Sequence, residues 1–242
     1  MKKLCKLLMS VVFCLSFAAC SQSGKEEQRQ ASLAFFDALH KTLTAESMEI
    51  EGTADIKTNM SLAGDFHLYL NQKNGVQLAL LVNGKAMGFP VNDVFNFYIR
   101  DGKTYLNSMG TKSQSVVENI GLKPGEKLES WDPFLSMTDE QKEKCFKSVS
   151  VSGDHYHFVI DAASLAYYLD SLGSTTLSKA DMEATIKDGT LTGLKLDLEG
   201  EYKIDSKSQA FTAQIEMEAE NVGGSVTVPY PDDLDSWGNQ RS

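Results

Sequence analysis

Met48-Glu49-Ile50-Glu51-Gly52-Thr53-Ala54-Asp55-Ile56-Lys57 puts an apolar or small residue at every even position and a polar one at every odd position. Successive side chains of a strand point to opposite faces, so a period of two describes a strand with one buried face and one wet face. The theme continues in Leu62, Phe66, Leu68 and Leu70, and in Val76, Leu78, Leu80 and Val82. Phe95, Phe97 and Ile99 follow, then a short strand around Tyr105-Leu106. Between these runs stand Asn74-Gly75, Asn83-Gly84 and Asp101-Gly102. Both residues of such pairs tolerate the positive φ of tight hairpin turns, so an antiparallel meander is expected.

Upstream, the period changes. Ala31, Ala34, Phe35, Ala38 and Leu39 recur at three- and four-residue spacing, which predicts an amphipathic helix from about residue 26 to Leu43. Ser23-Gly24-Lys25-Glu26 has the capping-box spacing that starts it. Downstream, Ser115 to Ile120 reads as a short helix ended by Gly121. Thr138-Asp139-Glu140-Gln141 is a second capping box, opening a helix toward Phe146.

Strands resume at Ser148–Ser152 and His155–Ile160, turned by Gly153-Asp154, and Asp161 caps a helix through Leu172. A second meander then runs through Met182, Ala184 and Ile186, the turn Asp188-Gly189, and Leu194, Leu196, Leu198, Tyr202 and Ile204. It ends with Phe211, Ala213, Ile215, Met217 and Ala219.

The expected fold is α+β and mostly β: a large curved antiparallel sheet, or half-barrel, with a few helices covering its apolar face. The two meanders are either halves of one sheet or two small domains. No Pro/Gly/Ser-rich linker parts them, so residues 26–230 are read as one β-rich domain. Residues 231–242 read as an acidic mobile tail. The sheet's hollow is either filled or partly empty. Gly52, Ala54, Ala184, Ala213 and Ala219 leave room for a ligand, or let helices pack close.

The chain opens with Lys2, Lys3 and Lys6 and runs apolar from Leu7 to Ala19, interrupted by Ser10 and Ser16. A basic start, a short apolar stretch and small residues before a break form a secretory signal, too short to be a membrane span. Phe17-Ala18-Ala19-Cys20 resembles the lipobox of bacterial lipoproteins, in which small residues precede a cysteine. Phe17 stands where that family prefers Leu, Val or Ile. The resemblance implies cleavage after residue 19, a diacylglycerol thioether on Cys20 and a tether over residues 20–25. It places the chain at a membrane, extracytoplasmic, with outer-membrane sorting permitted by Ser21. Two acyl chains suffice for stable anchoring.

Removing the leader takes the 23 basic residues to 20 against 33 acidic, a net of −13. So acidic a surface excludes nucleic acid as a partner. Cys5 and Cys14 leave with the leader and Cys20 is the lipidation site, so Cys145 stands alone and no internal disulfide is expected. Cys145 is either a reactive thiol beside Lys142 and Lys144 or a small hydrophobe turned inward.

Catalytic and metal signals are thin. No nucleophile elbow, zinc-protease motif, phosphate-cradling loop or dinucleotide fingerprint is present. Glu216, Glu218 and Glu220 alternate with apolar residues and mark the wet face of a strand. His155 and His157 share one face of a strand and could share a metal, but spacing supplies no third ligand. His40 and His67 add nothing by spacing. Tyr167-Tyr168, Trp131 and Trp237 read as core or interface anchors rather than stacking platforms. No catalytic residue, metal or cofactor is expected.

In element order the chain is similar to the LolA-like and LppX-like half-barrel lipoproteins and periplasmic carriers, where a helix leads into an open antiparallel sheet. The resemblance implies a lipid or other apolar ligand but carries over no contact residue. The expectation is a non-enzymatic, lipid-anchored binding protein. The alternative is a surface domain with a filled core that binds another cell-envelope protein.

Overall fold

The computed structural model describes residues 24–58, 61–86, 89–128, 132, 134–164, 175–204 and 207–238. The leader, Cys20 and Ser23 lie outside them. Helix α1 spans residues 24–43. Eleven strands follow: β1 (Ser47–Lys57), β2 (Ser61–Asn71), β3 (Gln77–Ala86), β4 (Phe89–Arg100), β5 (Lys103–Ser108), β6 (Thr111–Val116), β7 (Phe146–Ser152), β8 (His155–Ile160), β9 (Thr175–Lys187), β10 (Thr190–Ile204) and β11 (Lys207–Glu220). A 3-10 turn, Val117–Ile120, and helix α2, Asp139–Lys144, lie between β6 and β7.

All eleven strands form one antiparallel sheet in the order β6-β5-β4-β3-β2-β1-β11-β10-β9-β8-β7. The sheet is curved and unclosed. The first and last strands meet in its middle, Gly52 opposite Met217 and Ala54 opposite Ile215. That long-range pairing makes the two meanders halves of one sheet. Asp101-Gly102 and Asp188-Gly189 take the expected turns, all four residues at positive φ.

Each half of the inner face has its own cover. On the β7–β10 half, α1 drives Phe35, Phe36 and Ala38 onto Phe146, Phe158, Ile160, Met182, Ala184 and Ile186. The rings of Phe146 and Phe158 lie 4.4 Å apart, and Phe35 meets Phe158 at 5.2 Å. Thr42 pins the far end of α1. Its hydroxyl donates to the Leu191 carbonyl at 3.3 Å and accepts the Leu191 N–H at 3.1 Å. On the β1–β5 half, Val117, Leu122 and Leu128 cover Met48, Leu70, Val76, Leu78 and Ile99. The capping box at Thr138 is present, with Gln141 reciprocating. The Asp161 carboxylate accepts the N–H groups of Ala163 and Ser164, an N-cap geometry, while residues 165–174 of the predicted helix lie outside the described residues.

Three expectations need correction. Asn83-Gly84 is not a turn. It lies inside β3, where Gly64 opposite Gly84 leaves room for two backbones and a bulge follows Val82. Ser115 is not helical but lies in strand β6, which pairs with β5 through a hairpin at Met109-Gly110. Met carries no turn signal, so that hairpin was hidden. Lastly, residues 231–238 are not a mobile tail. Leu234 and Trp237 are buried with Val228 against Ala79, Tyr98 and Tyr105 on the outer face of β3–β5. Burial of a large ring outweighs the acidic composition around it.

Candidate functional site

The inner face between the two covers is the first candidate. Cross-strand register aligns Phe95, Val82, Phe66, Gly52, Met217, Leu194, Ala184, Tyr156 and Val151 in one row over nine strands, β4 to β7. At strand spacing the row is about 38 Å long. The Tyr156 hydroxyl is its one polar side-chain group. Ala184 is buried under α1, but Phe66, Val82, Phe95, Ile215, Met217 and Ala54 are only half-buried and belong to neither core cluster. Gly52 is the floor of this stretch: the Phe66 ring lies across it, and the Glu216 carbonyl crowds its other flank.

At its β7 end the row enters a groove of about 700 Å³ between the first turns of α1 and the sheet. Ala31, Ala34, Val149, Val151 and Tyr156 line its apolar part, with Glu27, Gln28 and Gln30 at the rim. A volume of this size falls within the range of small-ligand sites. Gly24, four residues after Cys20, lies at its mouth.

The outer face of the same half is chemically opposite. His157, Glu183, Lys195 and Glu216 form one cross-strand row, and His155, Thr185, Gly193 and Glu218 the next. A recess of about 510 Å³ runs between them. Lys195 donates to Glu216 at 2.8 Å, which raises the lysine pKa above its ordinary value. His155 Nδ1 lies 3.3 Å from the Thr185 hydroxyl. Both histidines are exposed, and among the described residues no three His, Cys, Asp or Glu side chains converge as a metal site. The acids here are the wet side of the alternation.

Two functional-looking groups lie elsewhere. Cys145 is buried at the end of α2, its thiol 3.4 Å from the Gln141 carbonyl, and burial pushes its pKa up to about 11. A thiol so protonated is a poor nucleophile, so the inward-turned hydrophobe is the reading that stands. His40, which carried no signal, meets buried Asp132 at 3.1 Å across 92 positions of sequence. Sequence spacing could not have found that pair. The placement of Gly52 could have been read, because a glycine within a strand marks close approach.

No family model and no curated protein matches the chain. Among solved structures it is similar to LprF from Mycobacterium bovis, at 16% identity and a TM-score of 0.42, over 85% of this chain and 97% of that one. A Nitrosomonas europaea protein solved under the designation AttH aligns at 8% identity and a TM-score of 0.24, over 78% of this chain and 53% of that one. Neither likeness is close enough to carry an argument about function.

Proposed function

We propose that the chain is an exported, lipid-anchored, non-enzymatic protein whose inner sheet face holds a lipid or other apolar ligand. One observation carries the reading: an apolar row crosses nine strands, and its middle, from Phe95 to Met217, is only half-buried and belongs to neither packed cluster. Burying apolar surface is worth about 25 cal/mol per Å², so a fold with no ligand for this stretch forgoes stability there. A filled core accounts for the two ends of the sheet but not for its middle. Anchoring rests on the leader and the lipobox at Cys20.

Native mass spectrometry tests the ligand. The chain without residues 1–20 is expressed in bacteria, purified without detergent and weighed. Lipid at a defined ratio, lost on delipidation and regained on adding it back, is expected. A clean apo mass that ignores a lipid panel sinks the reading. The anchor is tested separately by metabolic labelling with palmitate. Label should disappear in Cys20→Ala, with the protein released from the membrane fraction.

A further inference from the structure

The two edges of the sheet are not equivalent. Beside β6, the C-terminal segment lies close: Lys112 is engaged by Asp233, and Gly238 packs on Gln114. At the start of β7, Gln28 of α1 donates to the Phe146 carbonyl at 3.4 Å, but beside Ser148–Ser152 there is no such guard among the described residues. An open edge presents a row of backbone donors and acceptors, and natural proteins usually blunt it with charge, proline or covering chain. The only charge on β7 is Lys147, and the only bulge lies between Phe146 and Ser148, at its start. Ser148-Val149-Ser150-Val151-Ser152 is regular, uncharged and proline-free. Val151 is 50% exposed, one of few large hydrophobics so placed.

We propose that β7 is a dimer interface, pairing antiparallel with β7 of a second copy about a twofold axis at Ser150. Three features of the strand select that occupant. In this register Val149 faces Val151 of the second copy on the inner side, and Ser148 faces Ser152 on the outer side, so like surface meets like. The two Lys147 side chains stand about 20 Å apart, at opposite ends of the pairing, where their repulsion is screened. The chain carries 33 acidic residues, but none falls in β7, so two copies meet there without facing carboxylates.

Geometry across the axis is consistent. A twofold axis normal to the sheet leaves both inner faces on one side. The Gly24 end of α1 faces Val149, Val151 and Tyr156 across the groove on that side. Residue 24 therefore lies on the same side in both copies. The apolar row continues from Val151 into Val149 of the second copy without a polar break, and the two grooves become neighbours.

The test uses the full chain in its own membrane. Ser150→Cys puts a thiol on the axis, where paired Cα atoms lie within disulfide reach. Ser113→Cys puts an equally exposed thiol on β6. Cys145 is buried and silent. Mild oxidation, or a short bis-maleimide, should convert Ser150→Cys to a covalent dimer and leave Ser113→Cys monomeric. The uncrosslinked protein should show twice the monomer mass by native mass spectrometry, and Ser150→Lys should halve it while keeping the folded circular dichroism spectrum. A monomeric parent, or equal crosslinking at both edges, overturns the proposal. So does crosslinking at Ser150 to a different protein with no self-dimer.

Discussion

The ring of Phe66 lies over Gly52, its cross-strand neighbour, with Cε1 2.7 Å from where a Cβ on residue 52 would stand. The aromatic side chain can lie flat on the sheet only because residue 52 has no side chain. Gly52→Ala must displace the ring and strain the Glu216 carbonyl. We expect a loss of about 1–3 kcal/mol, the range for overpacking, read as a lower urea midpoint with unchanged slope. Gly52→Ala,Phe66→Leu should recover part of it. An unchanged midpoint for the single variant would show that the ring has somewhere else to go.

The C-terminal segment is a strap on the outer face. Trp237 meets Tyr98 edge-on at 5.6 Å and Tyr105 at 6.4 Å. Trp237→Ala should cost about 3–5 kcal/mol, as for other large-to-small changes in a core, and lower the thermal midpoint. A substitution without effect would mean that residues 231–238 detach freely in solution.

That strap also has a pH window. Lys112 donates to Asp233 and holds its carboxyl below the usual range. A depressed folded pKa contributes stability above about 3.9, the ordinary carboxylate value, and loses it as pH falls through the folded value. At the other end, burial pushes Tyr230 up to about 12, while its hydroxyl donates to the Ile99 carbonyl at 2.8 Å. A phenol raised from about 10 contributes stability that is intact below pH 10 and lost as pH rises through about 12. Trp237 fluorescence in a Trp131→Phe background should therefore be flat between these limits and change at both. In Tyr230→Phe the alkaline change should weaken.

Cys145 should behave as an inert thiol. With a pKa of about 11 and almost no exposure, it should resist iodoacetamide at pH 8 in the native protein and react fully in urea. Rapid native alkylation would place it in a mobile environment that the fold does not show.

Asp132 ties the segment before α2 to α1. Its carboxylate accepts the Phe134 N–H at 2.9 Å and meets His40 Nδ1 at 3.1 Å. Asp132→Ala leaves a half-buried N–H unpaired, at a cost of about 1 kcal/mol. Limited proteolysis should then cut near residues 134–137 first. Equal cleavage in parent and variant would show that the pair does not hold the segment.

Much of the sheet was legible because alternation is local. The faces of β1, β9, β10 and β11 follow from their own residues, since parity along a strand assigns each side chain a side. The turns at Asp101-Gly102 and Asp188-Gly189 were legible for the same reason, their φ preferences belonging to two adjacent residues. The Met109-Gly110 hairpin and the bulge at Gly84 were not, because there the neighbouring strands impose the backbone.

The sequence by itself determined the strand-rich class, the apolar and wet faces and the capping box at Thr138. Only the tertiary structure decided that β1 pairs with β11, that separate segments cover the two ends of the inner face, and that Trp237 returns to Tyr98. Those outcomes depend on which distant surfaces bury the most apolar area once the chain is compact. Residues such as His40 and Asp132, or Phe66 and Met217, have no relation until the sheet brings them together.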